Sequence, residues 1–164
     1  GILRAAAIAA METGAALGFH GPVAKTTRNV IKIMEKEGLK IDRFVWAHAQ
    51  VSTLDDNKRL ADRGAFLQYD AIGAHSDQFF GGPVGDDTML ERLGQMVESG
   101  YENQIMLSTD AAVCINPPAF QYDRNSAYLY RYFEDKLKQR IGARRTRKIL
   151  RDNVITAFRQ PTKL

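Results

Sequence analysis

Four short apolar runs alternate with longer amphipathic segments along the chain, and this rhythm constrains the fold more than any other feature. The runs cover residues 15–19, 44–47, 65–69 and 105–109. Their side chains are apolar almost without interruption, which is typical of parallel strands that are buried on both faces. Parallel neighbours need a crossover, and each amphipathic segment is long enough to supply one as a helix. The sequence therefore predicts an α/β fold with a parallel sheet.

The segments between the runs carry the signals of helix ends. Gly14 and Gly38 stand where an apolar stripe at helical spacing stops, as C-terminal glycines do. Thr53, with Asp56 three residues later, is typical of an N-cap followed by acid in the first turn. We expect further helices after the fourth run, the last of them over residues 144–158.

A polar residue closes each of the four runs. His20, His48, Asp70 and Asp110 stand at the carboxyl ends of the predicted strands. In parallel α/β folds, this edge of the sheet is where binding and catalytic sites are built. A single histidine there is more often a hydrogen-bonded structural residue, and a single aspartate is more often a helix cap. Four such residues at one edge favour a common site.

Two imidazoles and a carboxylate on neighbouring strands can converge on one divalent metal ion. Imidazole nitrogen and carboxylate oxygen suit zinc, cobalt, manganese or iron. We expect His20, His48 and Asp110 to be the metal ligands, with Asp110 also accepting the proton of the attacking water. Asp70 is expected beside the metal, where it would orient a ligand or the substrate. His75 is a weaker candidate for that role because it falls in a predicted loop.

The length and the cysteine content of the chain limit the class of protein to which it can belong. The chain has 164 residues and a single cysteine, Cys114. This length fits one domain, so residues 1–164 are treated as a single domain. One cysteine cannot form an internal disulfide, which favours a reducing, cytoplasmic compartment. No apolar run approaches the roughly 20 residues that span a bilayer, so we expect no membrane partner.

Basic charge is concentrated towards the C-terminus. Residues 131–164 contain eleven Lys and Arg against three Asp and Glu, although the whole chain has a formal net charge of only +4. A basic helical segment of this kind can bind nucleic acid. Because no aromatic or glycine pattern interleaves the charges, we favour a solvated helix face and keep nucleic-acid binding as the alternative.

The run into the fourth strand carries a resemblance to a known family. Residues 100–110 resemble strand eight and its metal aspartate in the phosphotriesterase-like branch of the amidohydrolase superfamily. Three further stretches follow in the family's order: residues 4–20 up to the strand-five histidine, His48 for the strand-six histidine, and residues 69–73 for the end of strand seven. The family consists of metal-dependent hydrolases with a (β/α)8 barrel of the TIM type. The chain resembles only the second half of that barrel, about four βα units.

The resemblance implies a centre of two divalent ions per intact barrel, for which we expect zinc, with cobalt, manganese and iron as alternatives. The family counterpart of Asp110 holds one ion together with a strand-one His-x-His pair. Counterparts of His20 and His48 hold the other ion, and a carboxylated strand-four lysine bridges the two. The chain begins just after the position of that lysine. We therefore expect a C-terminal half barrel whose partner is the N-terminal half, and which is inactive by itself.

Two positions differ from the pattern of true phosphotriesterases. Val51 stands where they have an acidic residue, three positions after the strand-six histidine, and Ala71 stands where they have a histidine after the strand-seven aspartate. The family residues move the proton away from the metal-bound water, so their replacement argues against efficient triester hydrolysis. A lactonase, an esterase or another hydrolase of the same family is favoured instead. The apolar loop 111–123, where the family selects its substrate, points to an acyl or ring substrate.

The sequence thus predicts a metal-dependent hydrolase that uses a metal-activated hydroxide on an ester, lactone or phosphoester of a small molecule. One alternative is a family member that binds small molecules without turnover. Another is a non-enzymatic domain that binds nucleic acid through its basic C-terminal helix. A homodimer is kept as a further alternative for the assembly of the protein. A half barrel would also carry two unpaired parallel edges, which favour self-association.

Overall fold

The four predicted strands form one parallel sheet in chain order. The protein is described by a computed structural model, which covers residues 1–21, 24–73, 85–110 and 127–159. The strands are β1 (Leu17–His20), β2 (Phe44–Ala47), β3 (Phe66–Tyr69) and β4 (Ile105–Leu107). All three pairings are parallel and the spatial order is β1-β2-β3-β4. Each crossover therefore advances one strand in the same direction, as in a barrel, without the reversal of a doubly wound sheet.

Helices precede, connect and follow the strands. In chain order they are α1 (Ile2–Thr13), α2 (Ala24–Lys36), α3 (Leu54–Ala61), α4 (Asp86–Glu98), α5 (Glu134–Ile141), α6 (Ala143–Arg147) and α7 (Asn153–Phe158). Short π-helical segments, Leu129–Phe133 and Lys148–Asp152, lead into α5 and α7. Gly14 ends α1 in the left-handed region at φ 70°, and the Thr53 hydroxyl accepts the Asp56 N–H at 3.1 Å at the start of α3. These helix ends confirm the signals in the sequence.

The fourth strand is shorter than the sequence predicts. It ends at Leu107, although the Ser108 N–H still donates to the Tyr69 carbonyl at 3.0 Å. Asp110 has φ 47°, and its N–H donates to the Ser108 hydroxyl at 3.1 Å. This local side-chain bond competes with the strand ladder, so the backbone turns before it reaches Asp110.

The sheet buries apolar side chains on both of its faces. Trp46 and Leu67 point into the main core, which the helices α1 to α5 complete. The alternate residues Phe66 and Met106 form a second cluster with Ala157 of α7 on the opposite face. Alternation along a strand places these two sets on opposite sides, and in a closed barrel the second set faces the interior.

The C-terminal helices are attached to the amino edge of the sheet. The Asn153 side-chain amide donates to the carbonyl of Glu102 at 2.8 Å and to that of Ile105 at 2.7 Å. The Arg43 guanidinium, just before β2, donates to the Arg159 carbonyl at 2.8 Å and also to the Gly14 carbonyl. The carboxyl edge of the sheet lies at the opposite end of the strands.

Both outer strands have an unpaired side within the described ranges. There β1 pairs only with β2, and β4 pairs only with β3. Across the same part of the chain, no helix has the length and apolarity that a membrane-spanning segment needs.

Candidate metal centre

The four polar strand-end residues lie along one edge of the sheet. His20 is the last residue of β1 and is in register with Ala47, the last residue of β2, which His48 follows. Asp70 comes directly after β3, and Asp110 comes three residues after β4. The parallel winding brings their side chains to the carboxyl edge, as the sequence predicts.

His48 and Asp70 form a buried pair at the centre of this edge. The side chains are only 4% and 1% exposed, and His48 Nδ1 lies 2.7 Å from Asp70 Oδ1. The backbone N–H of His48 donates to the other carboxylate oxygen at 3.0 Å. Because an ionised carboxylate only accepts, this contact assigns a ring proton to Nδ1, and in the neutral imidazole the lone pair is then on Nε2. A carboxylate that holds one imidazole nitrogen in this way orients the ring for metal binding.

Asp110 completes a cluster of three residues that can ligate a metal ion. One donor atom from each of His48, Asp70 and Asp110 lies within 4.8 Å of the others. His48 and Asp70 are buried, whereas Asp110 is exposed. One imidazole and two carboxylates are a donor set that suits zinc, manganese, iron or cobalt. The chemistry of these residues therefore fits a divalent metal ion.

His20 lies against His48 but outside that three-residue cluster. The two rings meet edge to face, with centroids 4.4 Å apart and an interplanar angle of 86°. His20 is exposed at the edge strand, in contrast to the buried His48. The structure thus brings the two histidines together, and the role of His20 as a metal ligand stays a prediction.

Other residues singled out in the sequence lie outside the described residues. His75 falls within 74–84, and the loop 111–123 with Cys114 falls within 111–126. Val51 and Ala71 are described, and neither offers an ionisable group. Ala71 is fully buried next to Asp70.

Unusual backbone angles mark the same edge. Among the described residues other than glycine, three have positive φ, and these are His48 at 59°, Ala71 at 67° and Asp110 at 47°. All three follow the carboxyl ends of β2, β3 and β4. A left-handed conformation costs about 1–2 kcal/mol for such residues, and strain of this kind clusters at functional sites.

Gln50 also contacts the buried pair, and sequence reasoning missed it. Its side-chain amide donates to Asp70 Oδ1 at 2.7 Å, and its carbonyl accepts the Asp70 N–H at 3.2 Å. The residue is fully buried in the short turn Ala49–Val51 after His48. The feature of the sequence that could have identified Gln50 is its place as a polar residue two positions after the strand-end residue His48.

A second network of buried hydrogen bonds supports the turn Ala49–Val51. The Tyr69 hydroxyl donates to Asn57 Oδ1 at 2.8 Å, and the Asn57 amide donates to the Ala49 carbonyl at 2.9 Å. Burial raises the pKa of the Tyr69 phenol well above its usual range, and the opposing charge of Arg92 is a smaller influence. Tyr69 therefore stays protonated and acts as a hydrogen-bond donor rather than as a titrating group.

The basic C-terminal residues are engaged at the other end of the sheet. Arg144 and Arg145 pair with Glu102 at 3.1 and 2.7 Å, and Arg140 pairs with Glu98 at 2.7 Å. The chain's own acids thus neutralise part of the basic surface. This observation does not favour nucleic-acid binding.

Comparison with known sequences gives a family match over most of the chain. Residues 1–158 match the phosphotriesterase family. The human N-acetyltaurine hydrolase is 28% identical over 116 residues, which are 66% of this chain and 33% of that protein. The aryldialkylphosphatase of Saccharolobus solfataricus is 30% identical over 117 residues, 70% of this chain and 35% of that protein. The chain spans about a third of the length of these relatives.

Solved structures give the same picture at the level of the fold. A resiniferatoxin-binding protein from Rhodobacter sphaeroides superposes with a TM-score of 0.82 and 26% identity, covering 95% of this chain and 45% of that one. A lactonase from Listeria monocytogenes superposes with a TM-score of 0.83 and 20% identity, covering 98% and 49%. These similarities confirm the predicted fold, a parallel α/β unit corresponding to about half of a TIM-type barrel.

Proposed function

The chain belongs to the phosphotriesterase family, and on that premise we propose that it forms part of a metal-dependent hydrolase acting on ester, lactone or phosphoester bonds. The observation that carries the proposal is the buried His48–Asp70 pair, with a donor atom of Asp110 within 4.8 Å of donor atoms of both. Histidine ligands in metal enzymes are commonly oriented by such a carboxylate.

Zinc is the metal that we propose. His20 and His48 would ligate it through ring nitrogens, and Asp110 through a carboxylate oxygen. A bound divalent ion lowers the pKa of a water molecule towards about 7 and polarises the oxygen of the substrate. His48 would contribute the lone pair of Nε2, because its Nδ1 lies 2.7 Å from Asp70 Oδ1.

The two aspartates have different roles in this proposal. Asp110 is exposed, so its carboxylate can reach the water and accept the proton that leaves it. Asp70 is buried and holds His48 through both of its oxygens, at 2.7 Å and 3.0 Å. In this proposal Asp70 therefore acts through His48.

The substrate is proposed to be a lactone or carboxylic ester rather than a phosphotriester. Val51 and Ala71 carry no group that could pass a proton onward from Asp110. A lactone or alkyl ester makes smaller demands on such a relay, because its alkoxide leaving group is basic enough to take the proton back from Asp110. The relatives named N-acetyltaurine hydrolase and aryldialkylphosphatase add N-acyl amides and phosphoesters to the substrates that should be tested.

The test compares two aspartate variants. Asp110→Asn should weaken zinc binding to residues 1–164, measured by competition with a chelating dye. In a protein with the complete barrel it should also lower turnover of lactones and aryl esters by about 10²–10⁴-fold. The control is Asp135→Asn on α5, whose exposed ion pair with Lys138 contributes at most about 1 kcal/mol. Unchanged zinc affinity and turnover in Asp110→Asn would refute the proposed function.

A further inference from the structure

Gln50 closes a ring of hydrogen bonds with a single residue, Asp70. Its amide nitrogen donates to Asp70 Oδ1 at 2.7 Å, while its amide oxygen accepts the Asp70 N–H at 3.2 Å. The two contacts require opposite ends of the amide, so the orientation of the side chain is fixed. Gln50 therefore ties the Asp70 carboxylate to the backbone of the same residue.

This ring acts on the same carboxylate oxygen that holds the imidazole. Asp70 Oδ1 accepts from Gln50 Nε2 and from His48 Nδ1, both at 2.7 Å. The other oxygen accepts the His48 N–H at 3.0 Å, and Gln68 Nε2 lies 3.4 Å from it. The terminal torsion of an aspartate is soft, so its plane is set by its partners. Gln50, in the turn that follows β2, is one of the partners that set this plane, together with His48 and Gln68.

The turn that carries Gln50 is itself braced. The Val51 N–H donates to the His48 carbonyl at 3.2 Å, and Asn57 Nδ2 donates to the carbonyl of Ala49 at 2.9 Å. Gln50 is fully buried, as is Asn57. Because the turn is rigid and the surroundings are closely packed, the Gln50 side chain has little room to move. It therefore holds the Asp70 carboxylate in one orientation.

We propose that Gln50 is a positioning residue for the metal centre: by fixing the Asp70 carboxylate, it keeps the His48 proton on Nδ1 and presents the Nε2 lone pair to the metal. Loss of the amide leaves the Asp70 N–H and Oδ1 each without this partner in a buried site. The carboxylate then rotates, and His48 loses its single tautomer and ring orientation. The role of His48 towards a metal rests on the proposed function, whereas its tautomer does not.

The experiment replaces the amide without changing its size. Gln50→Met keeps the length of the side chain and removes both hydrogen bonds. The matched control is Gln95→Met on the exposed face of α4. Histidine ¹⁵N NMR on the metal-free chain reports the tautomer, with a His48→Asn variant to assign the signals. We expect one Nδ1–H tautomer in the wild type and in the control, and a mixture in Gln50→Met.

Cobalt titration provides the second readout. The visible absorbance of bound Co²⁺ should give a Kd about 10–100-fold weaker in Gln50→Met than in the wild type, as for other groups that orient metal-binding histidines. If the wild type binds no Co²⁺, the proposed function fails while the NMR comparison still decides the role of Gln50. A folded Gln50→Met with an unchanged tautomer and an unchanged Kd overturns the inference.

A shorter polar variant covers the case in which Gln50→Met does not fold. Gln50→Asn keeps an amide in the buried turn but is one methylene too short to reach both Asp70 atoms. Circular dichroism establishes that it is folded. It should show the same mixture of tautomers and a weakened Kd, and wild-type values for both would equally overturn the inference.

Discussion

The charge of Glu102 depends on two neighbouring arginines. It precedes β4 and accepts hydrogen bonds from Arg145 Nε at 2.7 Å and Arg144 Nη2 at 3.1 Å. Burial alone would raise its pKa, but these bonds and the charges of the two arginines outweigh burial, so the pKa lies below its usual value. A lowered pKa in the folded state stabilises the protein above the unfolded pKa of about 4.3. This contribution is lost as the pH falls through the folded pKa.

The corresponding prediction is a pH-dependent loss of stability. Glu102→Gln should lower the free energy of unfolding by about 0.5–1 kcal/mol at pH 7, since both arginines are largely exposed. The difference from the wild type should begin to shrink as the pH falls below the unfolded pKa of about 4.3, and it should vanish only below the lowered folded pKa, where both states bind the proton. Urea denaturation from pH 7 to pH 3.5 measures it. Glu12→Gln, at an exposed position of α1, should lose no stability. An equal loss at every pH would contradict the assigned cause.

At the scale of the elements, Asn153 is expected to hold α7 to the sheet. It is buried, and its amide donates to two backbone carbonyls, those of Glu102 and Ile105. Asn153→Ala removes both donors and should cost about 2–3 kcal/mol, because a buried acceptor without a partner costs about 1–3 kcal/mol. Thr156→Ala, whose exposed hydroxyl bonds only within its helix, should change stability by less than about 0.5 kcal/mol. Urea unfolding of both variants provides the comparison, and equal losses would refute the role of Asn153.

The strands and helices were predictable because they depend on local patterns. Apolar runs and glycine stops located β1 to β3 and most helix ends, and the strand-end rule placed His48 and Asp70 at one edge. The early end of β4 was not predictable, because it depends on a bond between the Asp110 N–H and the Ser108 hydroxyl. The hydrogen bonds between Gln50 and Asp70 were not predictable either. They depend on side-chain rotamers of residues that follow two different strands, and the periodicity of the sequence carries no information on these rotamers.

At the scale of the whole molecule, the open strands should determine the state of association. Both β1 and β4 have an unpaired side within the described residues. We expect sedimentation velocity of residues 1–164 to show self-association that grows with concentration. Gly18→Lys should shift the chain towards the monomer, because Gly18 is exposed in β1 and a Cβ there meets no atom within 4 Å. Ala5→Lys, exposed on α1, should leave association unchanged.

The absence of self-association would be equally informative. A wild-type chain that stays monomeric at every concentration would contradict the expectation from the open edges. It would mean that the unpaired sides of β1 and β4 do not by themselves drive association.

The attachment of the last helices to the amino edge has a consequence for how such a chain can evolve. The contacts of Asn153 and Arg43 lie at one end of the strands, and His48, Asp70 and Asp110 lie at the other. Substitutions at sites that share no partners usually have additive effects on stability. Substitutions at the carboxyl edge should therefore leave the contribution of the amino edge to stability unchanged, so that strained residues near His48, Asp70 and Asp110 can be replaced without loosening the last helices.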